Sequence, residues 1–320
     1  MIRRAASRLA LLLPLLLAHC ASISAVPSPS AAPVLDDRHF TTFDGERFTY
    51  RRWLPEPDPK LVVVGFHGID GAADDYRNIG EHFERHHRGA AVYAPNLRGQ
   101  GYDPKPSRRG DIRRADDWIR DARTFSRLVA ERHPRATLVW CGESMGSLIA
   151  LHALAPERAA APRCEALVLA SPVTKIPEGL PAWRLFLLRT GAVLFPRARI
   201  SLEALGGQDA VHVTHDATHQ DQVAHNAYHV PDFTFRLLSK LSGLIESAPR
   251  QAAGVTVPTL ILHAGKDVFS TPDDVASFAA HFPRDTPVTR RLYPDSHHLL
   301  FYDRDRESVL ADLTAWLRGL

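Results

Sequence analysis

The sequence predicts an α/β protein built on a mostly parallel, doubly wound sheet, and three observations carry this. Apolar, β-branched runs stand at 61–64, 90–93, 137–140, 166–169, 259–262 and 288–293. Continuous apolar runs are what strands buried on both faces require. Helical stretches at 74–87, 117–133, 144–155, 272–281 and 304–320 alternate with them, the pattern of a parallel sheet covered by helices. The alternation breaks once. From about 173–252 no clear strand appears, and two helical segments, 181–195 and 223–245, dominate. This stretch lies before the last two strands, so it is expected to form a helical cap over the strands' carboxyl ends, where open α/β sheets bind ligands.

Ahead of the sheet, residues 1–25 read as an export signal. Arg3, Arg4 and Arg8 precede an apolar run at 9–18, the basic-then-apolar order of a secretory signal peptide. The run is shorter than the roughly 20 residues a spanning helix needs. Leu17-Ala18-His19-Cys20 resembles a lipobox, in which the cysteine is lipidated, although His19 stands where a small residue is usual. The Pro/Ser/Ala tract within 26–38 suits a tether. The chain is therefore expected to be exported, either membrane-anchored through Cys20 or released as a periplasmic or secreted protein. The folded domain is expected over 39–320. It opens with a hairpin, 40–43 and 47–50 around Asp44-Gly45-Glu46.

Charge excludes one partner class. The 39 Lys and Arg face 36 Asp and Glu. Without the three leader arginines the two signs balance, and basic residues alternate with acidic ones. No single-sign stripe offers a surface to nucleic acid. Beyond Cys20 the cysteines are Cys141 and Cys164. The first ends one expected strand and the second precedes its neighbour, which separates their Cα atoms by about 15 Å. A disulfide needs less than about 7 Å, so two free thiols are expected.

The chemistry centres on Gly142-Glu143-Ser144-Met145-Gly146, which joins the run 137–140 to an apolar helical stretch. A Gly-x-Ser-x-Gly between strand and helix is a nucleophile elbow. Flanking Gly142 and Gly146 lack a Cβ, so the chain can turn sharply and lift Ser144 above the sheet. A nucleophilic serine needs a base, an acid to orient it, and donors for an oxyanion. In this arrangement the order along the chain is Ser, acid, His. Asp267 follows the strand 259–262 through a Gly-containing turn. His297 and His298 both follow the last strand, and spacing does not choose between them. One oxyanion donor is the Met145 N–H, at a helix N-terminus. The other is the Ile69 N–H in the Gly-rich turn His67-Gly68-Ile69-Asp70-Gly71. His67, at the end of a buried strand, reads as a hydrogen-bonded loop anchor.

Together with Phe66-His67-Gly68, Asn96-Leu97-Arg98-Gly99-Gln100-Gly101, Gly265-Lys266-Asp267 and Tyr293-Pro294-Asp295-Ser296-His297-His298, this elbow resembles the α/β-hydrolase superfamily. Within it the chain is similar to the monoacylglycerol lipase, lysophospholipase and serine aminopeptidase-like group. The resemblance covers the domain and is weakest in the cap. It implies the α/β-hydrolase fold, a Ser144–Asp267–His298 triad acting through an acyl-enzyme, no cofactor, and an ester or monoacyl-lipid substrate. The family's final motif, Ser or Ala, a variable residue, then His, selects His298. Asn96 departs from the Asp usual before Leu-Arg-Gly, at a position that supports loop structure.

Other readings share these residues. An aminopeptidase or an acyltransferase would use the same triad, and a binding module could keep the fold without the chemistry. The cap histidines His212, His215, His219, His225 and His229 include i, i+4 pairs suited to a metal. They lack Cys or Glu partners and read instead as a solvated or substrate-flanking face. The apolar stretch from Trp183 to Phe195 would pack the cap onto the sheet, or line an acyl channel or touch a membrane surface.

Overall fold

The computed structural model describes residues 32–155, 162–175, 182–201, 213–215 and 226–320. The expected export signal and Cys20 lie outside the described residues, as do His212, His219 and His225. The chain opens with β1 (His39–Thr41) and β2 (Arg47–Trp53), followed by β3 (Leu61–Phe66), α1 (Arg77–His86), β4 (Ala90–Pro95) and α2 (Ala115–Arg132). Then come β5 (Thr137–Glu143), α3 (Met145–Ala153), β6 (Ala166–Ala170), α4 (Ala182–Leu194), β7 (Arg199–Ile200), β8 (Phe233–Thr234) and α5 (Phe235–Ala252). It closes with β9 (Thr259–Ala264), α6 (Pro272–Ala279), β10 (Val288–Tyr293) and α7 (Arg306–Leu317).

Eight strands form one sheet in the order β1-β2-β4-β3-β5-β6-β9-β10. β1 and β2 are the expected hairpin; its turn places Gly45 at φ 83°, a conformation glycine adopts freely. β2 joins β4 antiparallel, and every pairing from β4 through to β10 is parallel. Side chains alternate between two cores, as the pleat requires. From β3, Val62, Val64 and Phe66 enter one core, with Leu138, Trp140 and Leu167. Leu61 and Val63 enter the other, with Val139, Cys141 and Val168. Both faces are covered, so β3, β4, β6 and β9 are buried along their whole length and β5 from its second residue on. β10 departs from that reading: it is an edge strand with exposed Arg290, Arg291 and Leu292, and charge on an edge discourages pairing with another chain.

The register brings the strand ends into line. Cys141 pairs with Val168, Ala170 with Leu262, and Ala264 with Tyr293. Cys141 is thus level with a residue four beyond Cys164, and both thiols are free. Every loop following β3, β5, β6, β9 and β10 therefore leaves from the same edge.

The stretch between β6 and β9 differs from expectation in two respects. It contains strands: β7 and β8 form a two-residue antiparallel pair, too short for alternation to show in sequence. Its second helix begins at Phe235 rather than 223, because Pro231 interrupts the run and the Thr234 side chain caps the helix by accepting from Leu237 N–H. α4 packs on α5, where a Cβ at Gly191 would stand 2.7 Å from the Phe235 ring.

Candidate active site

Ser144 stands at the tip of the β5–α3 turn with φ 53° and ψ −118°. The left-handed backbone is at the serine itself, while neither flanking glycine has positive φ. The glycines matter through space. A Cβ at Gly146 would lie 1.8 Å from the Phe66 carbonyl oxygen, and one at Gly142 would lie 2.4 Å from that of Gly146. Backbone atoms cannot swing aside as a side chain can, so Gly146→Ala is expected to destabilise the fold by about 3 kcal/mol or more. Urea unfolding measures this, and a variant as stable as the parent would remove the steric role.

The turn is fixed by its backbone. Ser144 N–H donates to Ala170 O at 3.0 Å, and Ser147 N–H donates to Ser144 O at 3.0 Å. The Ser147 hydroxyl adds a bond to Gly142 O at 2.7 Å. Ser144 is buried, with 6 % of its surface exposed.

His298 and Asp267 meet at the same strand-end edge of the sheet. The β9 turn is tied to the β10 loop by Gly265 N–H to Tyr293 O at 2.8 Å and Lys266 N–H to Ser296 O at 2.9 Å. His298 Nδ1 and Asp267 Oδ2 are 2.8 Å apart, with the carboxylate fully buried. Asp267 Oδ1 accepts the Phe269 N–H at 2.8 Å, and the Phe269 ring packs edge-on against the imidazole with centroids 4.6 Å apart. A carboxylate at Nδ1 holds the proton on that nitrogen, leaving Nε2 as the basic site. Nε2 is buried without a hydrogen-bond partner among the described residues. His297, the alternative from spacing, turns elsewhere: its N–H and Nδ1 lie 2.5 and 3.3 Å from Asp303 Oδ2.

The loop after β3 lies against Ser144. A Cβ at Gly68 would stand 3.3 Å from Ser144 Cβ and 3.8 Å from its Oγ, so a side chain here would press directly on the serine. Ile69 follows it and packs on the core. His67 anchors the loop as expected. Its Nδ1–H donates to Gly68 O at 2.8 Å and its Nε2 accepts the Leu97 N–H at 3.1 Å. Burial lowers its pKa to about 4, so the ring is neutral at pH 7 and available for both bonds. Asn96 does support a loop: Oδ1 accepts Ala73 N–H at 2.9 Å and Nδ2 donates to Thr49 Oγ1 at 2.7 Å.

Residues 57–305 match the family model Hydrolase_4, described as Serine aminopeptidase, S33. The chain belongs to this S33 family. A monoacylglycerol lipase of Mycolicibacterium smegmatis is 27 % identical to it over 296 residues, covering 88 % of this chain and 96 % of the relative. Among solved structures, a soluble variant of monoglyceride lipase from Saccharomyces cerevisiae superposes with a TM-score of 0.75 at 19 % identity, covering 91 % and 96 % of the two chains. The Paleococcus ferrophilus monoacylglycerol lipase gives 0.69 at 16 %, covering 84 % and 98 %. The architecture is that of the α/β-hydrolase superfamily.

Two carboxylates of this S33 chain did not stand out in the sequence. Asp70 adjoins Ile69, and Asp303 lies five positions after His298. Each bonds to the segment between β6 and β9, at sequence separations of 159 and 88. No local pattern encodes pairings between such distant irregular segments. Glu143, the variable residue of the elbow, is buried, and burial holds its carboxyl well above the usual carboxylate range.

Proposed function

We propose that the protein is a carboxylic ester hydrolase of monoacyl lipids, with Ser144 as nucleophile, His298 as base and Asp267 as its orienting acid. The observation that carries this is the Asp267–His298 hydrogen bond on the same sheet edge as a serine presented by a nucleophile elbow. His298 Nε2 takes the Ser144 hydroxyl proton as Oγ attacks the ester carbonyl carbon. The carbonyl oxygen takes the negative charge, stabilised by the Ile69 and Met145 N–H groups. Collapse expels the alcohol, which takes the proton from His298 and leaves an acyl-serine. Water then attacks the acyl carbon, passes a proton to His298, and releases the fatty acid as Ser144 recovers its proton.

The lipid part of the reading is supported by the similarity to the Mycolicibacterium monoacylglycerol lipase and by one face of the structure. Phe186, Val193, Leu194 and Phe195, on or just after α4, are 63–78 % exposed, an apolar patch suited to lipid contact. Among the described residues no helix is long and apolar enough to cross a membrane. Export and attachment through Cys20 complete the proposal, supported by the basic and apolar leader and the lipobox-like residues.

The family description supports a second reading, release of N-terminal residues from peptides by the same triad. A substrate panel on the mature protein separates them: acyl esters of rising chain length, a monoacylglycerol, a lysophospholipid and an aminoacyl anilide. Preference for the monoacylglycerol or lysophospholipid is the expected result. A higher kcat/KM for the anilide than for every ester would overturn it.

A further inference from the structure

The loops bearing Ile69 and His298 are both held by the segment inserted between β6 and β9, each through one carboxylate. Asp70, directly after Ile69, has φ 58°. Its N–H donates to the buried Gln100 Oε1 at 3.0 Å, which fixes the turn from below. Its carboxylate reaches the insert. Oδ2 lies 2.8 Å from His229 Nδ1, and Oδ1 accepts the Val230 N–H at 2.5 Å. Arg109 closes over this contact by donating to the carbonyls of Ala227 and His229 at 3.0 and 2.8 Å.

Asp303 does the same on the other side. Its side chain is fully buried. Oδ2 takes His297 N–H, while Oδ1 takes His215 N–H at 2.7 Å and the Thr214 hydroxyl at 3.2 Å. The His215 and His297 rings pack with centroids 4.1 Å apart. Leu299 N–H donates to Val213 O at 2.9 Å. The two backbone neighbours of His298 are thus both tied into contacts with the insert, while its ring is tied to Asp267.

We propose that Asp70 and Asp303 are positioning residues that make the placement of the Ile69 N–H and of His298 depend on the seated insert. Neither touches the reacting atoms. The seated insert thereby carries the alignment of oxyanion donor and base. This rests on the ester-hydrolase reading above. A displacement of about 1 Å at a catalytic group lowers the rate by about 10²-fold, so partial loosening of one clip is expected to cost about tenfold.

Asp70→Gly and Asp303→Asn test this. Glycine occupies the left-handed region freely, so D70G keeps the turn and loses both acceptors, whereas an asparagine at 70 would keep both bonds by exchanging donor and acceptor at His229. Active sites are counted with a fluorophosphonate, and kcat and KM are measured for a short soluble ester that needs little of the cap. The expected result is a fall in kcat per titrated site of about tenfold in each variant, with KM within about threefold. A merely structural role would lower the melting temperature or the number of sites and leave kcat per site intact. His229→Leu and Thr214→Val approach the same clips from the insert, and serve if an aspartate variant fails to fold. His229→Asn, whose amide donates from close to the Nδ1 position, should recover most of the loss in His229→Leu. Unchanged kcat per titrated site in the folded variants of both clips would overturn the proposal. Turnover surviving in Ser144→Ala would instead remove the reading on which it rests.

Discussion

Ser144→Ala is expected to lower ester turnover by about 10⁴-fold or more while leaving the fold intact. The chemical half follows from the loss of Oγ, without which no acyl-enzyme forms and only oxyanion stabilisation and binding remain. The structural half follows from the elbow. Its shape depends on the Ser144 N–H bond to Ala170 O, the Ser147 N–H bond to Ser144 O, and the space at Gly142 and Gly146. None of these uses the hydroxyl. Alanine at φ 53° meets the same backbone strain that serine already bears. The melting temperature should therefore stay within about 3 °C of the parent. The checks are kcat/KM on a short-chain ester and thermal unfolding followed by circular dichroism. Activity within tenfold of the parent, in a preparation free of contaminating esterase, would end the serine-nucleophile reading.

The elbow was legible because its signals are local: an apolar strand, the glycine-flanked serine and an apolar helix follow one another from Thr137 to Ala153. The order of strands and helices was legible for the same reason. The physical role of the glycines was not. Sequence reasoning gave them the sharp turn, whereas the structure puts the unusual dihedral on Ser144 and gives the glycines close backbone contact. Spacing also left His297 and His298 equivalent. They separate only in three dimensions, because adjacent residues in the loop send their rings to different carboxylates, Asp303 and Asp267. The stretch between β6 and β9 is the least legible in sequence. Two-residue strands carry no period, Pro231 and the Thr234 cap moved the start of α5 by twelve positions from 223, and the contacts of Asp70 and Asp303 depend on folding already achieved.

Asp267→Asn carries the second large effect, and its direction depends on a bond away from the histidine. In the parent, Oδ1 accepts the Phe269 N–H and Oδ2 faces His298 Nδ1. An asparagine has one acceptor and one donor where the carboxylate had two acceptors. Phe269 N–H can only donate, so the amide oxygen is held on that side and the NH₂ is turned towards the imidazole. A donor facing Nδ1 makes that nitrogen the acceptor and moves the ring proton to Nε2. The nitrogen that should take the Ser144 proton is then already protonated, and the imidazolium that forms during attack has lost its counter-charge. A fall in kcat of about 10⁴-fold near neutral pH is expected, with KM changed much less. The geometry should survive, since the side chain keeps its size and both hydrogen bonds are still made with donor and acceptor exchanged at His298. Nitrogen-15 spectra of the imidazole distinguish this account from simple disorder. The parent should show the proton on Nδ1, and the variant should show it on Nε2. A variant that keeps the parent tautomer and still loses activity would mean that Asp267 acts only through its charge, and a variant that keeps both tautomer and rate would remove it from the triad.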